Sequence, residues 1–166
     1  MTSGPDNRPV AVLVVEDDVL VRMIASDILT EAGFRAFEAH DAEEAMTLLE
    51  ARADVQVLFT DWNMPGDIDG LGLAHLVSKR WPAVGIIVTS GKMRPARGDL
   101  PAGARFLKKP YQPSVLVSEV ESMLEQDDEA AQGASVLPEG ILMQNPVSGA
   151  AGGGNIAGPL PEPDKT

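Results

Sequence analysis

The chain has 166 residues, 44% hydrophobic and 23% charged, the balance of an ordinary globular domain with a possible tail. Its 25 acidic against 13 basic residues leave a net charge of -12, which repels phosphate backbones and argues against non-specific nucleic-acid binding. There is no cysteine, so disulfides, thiolate metal sites and thiol catalysis are excluded, in keeping with a reducing compartment. The longest apolar runs are strand-sized, far short of the roughly 20 residues of a membrane span. Met1 to Pro9 is polar and has no apolar h-region, so no secretion signal is expected and the cytoplasm is the default location.

Val10 to Val15 is a continuous apolar run, the pattern of a strand buried on both faces. A helical stripe follows at Val21, Ile24, Ala25, Ile28, Leu29 and Ala32, closed by Gly33 just past its end. Phe34 to Ala39 reads as a shorter strand. Asp41 then caps a helix, with Glu44 three residues on in the manner of a capping box. The apolar face of that helix is Ala42, Ala45, Met46 and Leu49. Val55 to Thr60 is a third strand, and the turn-rich segment Asp61 to Gly70 leads to a helix from about Leu71 to Arg80, stopped by Trp81-Pro82. Val84 to Thr89 is a fourth strand and Arg105 to Leu107 a short fifth. A final helix spans Pro113 to Gln126, with Pro113 suited to its first turn and a stripe at Leu116, Val117, Val120 and Leu124.

Strands alternating with helices imply a parallel sheet covered on both faces. Five strands favour an α/β, doubly wound sheet in the order 2-1-3-4-5. Ligands of such sheets sit beyond the carboxyl ends of the strands, where the order reverses, between the first and third strands. The segment Lys92 to Ala104 should hold the helix between the last two strands. It contains Pro95, Gly98, Pro101 and Gly103, and proline inside a helix costs about 3 kcal/mol and glycine roughly 1. That helix is expected to be short, distorted or absent, leaving a loop-like, mobile surface there.

Composition shifts near Asp127. The last 40 residues hold seven Gly and five Pro, with no Arg and no aromatic residue. They are too polar to offset the entropy of ordering and read as a disordered tail. The domain organisation is thus an extension over residues 1–9, one domain over 10–126 and a tail over 127–166. Ile141-Leu142-Met143 is an apolar patch in the tail, with a solvated tail as its plainer reading.

The strand ends carry the chemistry. Glu16-Asp17-Asp18 follows the first strand, Asp61-Trp62-Asn63-Met64-Pro65-Gly66 the third, Thr89-Ser90-Gly91 the fourth and Lys108-Lys109-Pro110 the fifth. The predicted topology gathers all four groups at one edge. Crowded carboxylates repel one another, and a hard divalent cation with oxygen ligands relieves that repulsion. Mg²⁺ takes few protein oxygens and leaves positions for phosphate oxygens. A carboxylate held there is a nucleophile toward phosphorus, with the metal and a lysine neutralising the transferring group. Taken singly, each motif has a structural reading: Glu16-Asp17 as helix-dipole matching, Asp61 as a turn residue, Thr89 as a strand-end hydroxyl, the lysines as a solvated edge and Phe106 as core. Asp18 is assigned to capping.

Together, Glu16-Asp17, Asp61, Thr89 and Lys109-Pro110 resemble the receiver domain of bacterial two-component response regulators, over about Val10 to Gln126. The resemblance implies a flavodoxin-like fold and a set of roles. Asp61 matches the phosphoacceptor. Asp17 matches the direct Mg²⁺ ligand, with Glu16 acting through water and Asn63 through its backbone carbonyl. Thr89 matches the switch hydroxyl, Lys109 the lysine that contacts the phosphoryl group, and Phe106 the switch aromatic. Pro110 is expected to follow a cis peptide bond. The implied partners are a histidine kinase or histidine phosphotransfer protein and a downstream protein, with no nucleic acid and no membrane.

The loop Asp61 to Gly70 departs from the common receiver form by one extra residue, which Gly66 is expected to absorb. No DNA-binding or enzymatic domain follows, so a stand-alone receiver signalling through protein contact is the reading. A phosphate sink or relay shares its chemistry. A Mg²⁺-dependent aspartyl-phosphate phosphatase is disfavoured by Asn63, which stands where such enzymes carry a general acid. A phosphorylation-free scaffold is disfavoured by the intact residue set.

Overall fold

The structure, a computed structural model, describes residues 8–136, with side chains through Glu125. The N-terminal extension through Asn7 and the tail from Leu137, with its Ile141-Leu142-Met143 patch, lie outside the described residues. In chain order the elements are β1 (Ala11–Val15), α1 (Val19–Glu31), β2 (Arg35–Ala39), α2 (Ala42–Ala51), β3 (Val55–Asp61), α3 (Gly70–Arg80), β4 (Gly85–Ser90), β5 (Arg105–Lys108) and α4 (Pro113–Val136). The five strands are parallel in the order β2-β1-β3-β4-β5, as expected.

Strand side chains alternate between two faces. Leu13, Val15, Leu58, Ile86 and Val88 pack with Ala45 and Leu49 of α2 and with Leu73 and Val77 of α3. Val12, Val14, Val57, Phe59 and Ile87 pack with Ala25 and Leu29 of α1 and with Leu116, Val120 and Met123 of α4. The central strands are apolar throughout because both faces are covered.

The helix starts follow their capping residues. Asp18 accepts from the Leu20 and Val21 N–H groups at 2.9 and 3.1 Å, and Asp69 from Gly72 at 2.8 Å. Asp41 accepts from Glu44 at 2.8 Å, but the reciprocal half of a capping box is displaced: Glu44 takes the His40 N–H at 2.7 Å and the His40 ring at 2.6 Å. Gly33 stands at φ 99° just past α1, the left-handed position that glycine takes without strain.

Three features differ from the sequence pattern or sharpen it. In α1 the buried residues are Ala25, Ser26 and Leu29, and Ile24 of the expected stripe is 57% exposed. Val19, Leu20 and Met23 share that exposure. The helix has apolar residues nearly all round, so periodicity alone does not select the face that docks. The helix α4 runs ten residues past Gln126, the end expected for it, because Glu129, Ala130, Ala131 and Gln132 are good helix formers.

Finally, no helix forms between β4 and β5. Gly98 and Gly103 turn there with φ 88° and 82°, where a helix cannot continue. This segment is nevertheless anchored. The His75 Nε2 donates to the Asp99 carbonyl at 2.7 Å, Asp99 Oδ2 accepts from the Ala96 N–H at 2.7 Å, and Pro101 is buried.

Candidate functional site: an acidic edge with a paired lysine

The carboxyl ends of β1, β3, β4 and β5 bring the expected residues together. Asp61 closes β3, and its register partner on β4 is Thr89. The Trp62 N–H donates to the Thr89 carbonyl at 2.8 Å and the Lys109 N–H to the Ser90 carbonyl at 3.0 Å. These backbone bonds extend the ladder past the strands and hold the Asp61, Thr89 and Lys109 side chains at one level. The Lys109–Pro110 peptide is cis, as expected.

Lys109 bridges the cluster. Its Nζ lies 2.8 Å from Glu16 Oε1 and 3.2 Å from Asp61 Oδ1. Glu16 is 5% exposed; its other oxygen accepts from the Asp18 N–H at 3.1 Å, and its carbonyl accepts from Arg22 Nη1 at 2.7 Å. One ligand atom each from Glu16, Asp17 and Asp61 lies within 4.8 Å of the other two. Asp17 is the exposed member, open to solvent.

Burial dominates the electrostatics. It pushes the Glu16 carboxyl up, against the hydrogen bond from Lys109, with the Asp61 charge adding to the rise. It likewise pushes Asp61 up, opposed by Lys109 and reinforced by Asp17. Burial alone would lower Lys109, but the Glu16 hydrogen bond and the Asp61 and Glu16 charges raise it overall. Three carboxylates face one ammonium, so the site holds two more negative charges than its lysine answers. That imbalance, and an all-oxygen donor set, fit a hard divalent cation.

A further polar group waits at this edge. The Thr89 Oγ1 is buried without a hydrogen-bond partner, and the residue is 2% exposed. A buried hydroxyl without a partner costs about 1–3 kcal/mol, a cost that an arriving acceptor oxygen removes.

The family comparison decides between the readings of these motifs: the family described as response regulator receiver domain matches residues 12–121. The chain belongs to this receiver family. Receivers are the phosphoacceptors of two-component signalling and accept the phosphoryl group on an aspartate. The receiver is 36% identical to chemotaxis protein CheY1 of Helicobacter pylori over 123 residues, 70% of this chain and 98% of that protein. It is 37% identical to the CheY homolog of Campylobacter jejuni over 118 residues, 68% of this chain and 90% of that protein. Among solved structures, NtrX from Brucella abortus superposes with a TM-score of 0.70 at 27% identity, covering 77% of this chain and 29% of the NtrX chain. A CheY-like receiver from Methanospirillum hungatei matches with a TM-score of 0.66 at 23% identity, covering 74% and 98%, a likeness of fold.

Asn63, expected to act through its backbone carbonyl, is exposed two positions beyond Asp61. Phe106 lies in β5, half-buried, with its ring packed edge-on to Trp62 at 6.4 Å and 83°.

Sequence reasoning left out Trp62 and Gly70. Trp62, 6% exposed, joins Asp61 by the chain and Phe106 by its ring. Gly70 opens α3 against the backbone of Asp61, where a Cβ would stand 1.6 Å from the Asp61 carbonyl oxygen. The available signal was the Asp69-Gly70 pair at a helix start.

The raised carboxylates set a pH dependence. A carboxyl with a raised folded-state pKa binds its proton more tightly in the folded chain, so its contribution falls as pH rises. The window opens at the ordinary values, 3.8 for Asp61 and 4.5 for Glu16, and closes above their raised folded values. The Lys109 contribution has the opposite placement. It is intact below its ordinary 10.5 and is lost only as pH climbs through its raised value. In chelator, the native receiver should therefore lose stability relative to Asp61→Asn as pH rises through the carboxylate window. Paired urea midpoints across that range check it, and parallel curves would remove the burial argument.

Proposed function

We propose that Asp61 takes a phosphoryl group from a phosphohistidine, with Mg²⁺ held by Asp17, Asp61 and the Asn63 carbonyl, and by Glu16 through water. The observation that carries this reading is the convergence of Asp61, Glu16, Asp17 and Lys109 on one edge, with the partnerless Thr89 hydroxyl in register with Asp61. A carboxylate oxygen of Asp61 forms the new O–P bond as the P–N bond of the donor breaks, and the imidazole nitrogen keeps the electron pair. Bound Mg²⁺ supplies neutralisation of the phosphoryl charge. Lys109 leaves part of its contact with Asp61 for a phosphoryl oxygen, and the Thr89 hydroxyl donates to another. Thr89 follows Val88, the register partner of Phe106, and Phe106 packs on Trp62 beside Asp61, so movement of Thr89 is expected to be felt in β5.

The donor that fits is a protein, a histidine kinase or histidine phosphotransfer domain. Beside Lys109 lies a groove of about 540 Å³, lined by Val21, Ile24, Ile28, Tyr111 and Pro113. It continues the exposed apolar face of α1, and a helix bearing the phosphohistidine is its proposed occupant. On this reading the receiver domain spans residues 10–126 and works in the cytoplasm. It catalyses only its own phosphorylation and dephosphorylation, and signals through contacts with a downstream protein.

Intact mass after incubation with acetyl phosphate and Mg²⁺ tests this. The native chain gains the mass of one phosphoryl group, the gain requires Mg²⁺, and Asp61→Asn shows none. A variant that still gains the mass, or a native chain that gains none from acetyl phosphate and none from a phosphorylated histidine phosphotransfer domain, would overturn it.

A further inference from the structure

The long loop after β3 builds a second groove, on the other side of the molecule's acidic edge from α1. Gly66 stands at φ 112°, a conformation that L side chains rarely adopt, and turns the chain so that the loop meets the first turns of α2. The groove between them has a volume of about 360 Å³. Ala42, Met46, Pro65 and Ile68 line it with apolar atoms, and Asp41, Glu43 and Asp67 line it with carboxylates.

These carboxylates are not equivalent. Asp41 is committed to the Glu44 N–H and lies 3.3 Å from the His40 ring. Among the described residues, the Glu43 and Asp67 side chains have no hydrogen bond or ion pair. The α2 dipole favours negative charge at this end, but Asp41 and Glu44 already supply it. An apolar floor edged by two unanswered carboxylates, in a chain of net charge -12, complements an aliphatic stem carrying a cationic head.

We propose that this groove seats a lysine or arginine side chain from a basic segment of a partner protein. The stem lies on Met46, Pro65 and Ile68, and the charged head is held by Glu43 and Asp67. A protein segment suits the site better than a free polyamine, because the residues flanking the cation can also cover Ile68, which is 37% exposed. The extra loop residue thereby acquires a purpose: it brings Asp67 and Ile68 to the wall of the groove.

The test is a ¹H–¹⁵N titration of the full chain, without Mg²⁺ or acetyl phosphate, using the capped tripeptide Leu-Arg-Leu. Its citrulline counterpart and spermidine serve as the comparison probes. The amides of residues 41–46 and 65–68 should shift and saturate, with the arginine peptide at least about fivefold tighter than the citrulline peptide. Glu43→Gln with Asp67→Asn should abolish that preference, and Ile68→Ser should weaken both peptides. If the double variant loses spectral dispersion, Asp67→Asn alone carries the comparison. Equal binding of the two peptides, shifts confined to other residues, spermidine binding as tightly as the peptide, or self-association that occupies these amides would each overturn the proposal. Because no phosphorylation is involved, its failure is separate from failure of the phosphoacceptor reading.

Discussion

Gly70→Ala should cost more than about 4 kcal/mol of folding stability, an effect reserved for severe steric or buried-charge faults. The added methyl would stand 1.6 Å from the Asp61 carbonyl oxygen, 2.6 Å from its carbon and 2.9 Å from Trp62 Cα. All three are backbone atoms of a buried strand end and its continuation, so no side-chain rotation relieves the overlap. The Gly70 N–H also donates to the Trp62 carbonyl at 2.8 Å, so moving α3 away breaks a bond as well as a contact. A domain of this size has roughly 5–15 kcal/mol in total, and the variant is expected to be largely unfolded or to lose a cooperative transition. Gly72→Ala is the control. Its methyl would meet the end of Ile68 at 3.0 Å and Asp69 Oδ1 at 3.4 Å, side-chain atoms that can give way. That substitution should change stability by less than about 1 kcal/mol, with the helix preference for alanine working in its favour. Urea unfolding of the two variants side by side checks the contrast. Equal stabilities would mean that the β3–α3 junction relaxes freely.

Lys109→Met should slow phosphoryl acceptance from acetyl phosphate by on the order of 100-fold, the usual loss when one charge-stabilising donor leaves a phosphoryl- or acyl-transfer site. The substitution keeps the volume and the cis-proline context while removing the ammonium. It also removes the only cation that contacts both Glu16 and Asp61 among the described residues. Breaking a fully buried ion pair costs about 3–5 kcal/mol. The Lys109 side chain is 25% exposed, so solvent takes up part of the imbalance and about 1–2 kcal/mol is expected. Mg²⁺ should restore more stability to Lys109→Met than it adds to the native chain, since the carboxylates then have no other counter-charge. Time-resolved intact mass measures the rate, and thermal unfolding with and without Mg²⁺ measures the rest. An unchanged rate would remove Lys109 from the chemistry and leave it a structural partner of Glu16.

Much of the architecture was legible because it rests on local patterns. The apolar runs of β1, β3 and β4 mark strands covered on both faces, and Asp18 and Asp41 start helices by satisfying free N–H groups. Proline and glycine between residues 92 and 104 weaken any helix there, and the structure shows none. Alternation implied a parallel sheet and five strands favoured its order, and with that order came the edge where Glu16, Asp17, Asp61, Thr89 and Lys109 meet. Less was legible where the outcome rests on which surfaces touch. The α1 stripe offered Ile24 as core, and packing chose Ala25, Ser26 and Leu29, leaving Ile24 beside the site. The Trp62–Phe106 contact and the reason for Gly70 have no periodic signature.

The sequence by itself therefore determined the fold class, the candidate residues for phosphoryl chemistry and the weakness of any helix before β5. Only the tertiary structure decided that Lys109 answers both Glu16, 93 positions away, and Asp61, 48 positions away. It alone showed that the Thr89 hydroxyl is left without a partner and that the loop after β3 forms a groove with α2. Such facts depend on distances of a few ångströms between segments far apart in the chain, and those distances are set by how the helices pack on the sheet rather than by any local preference.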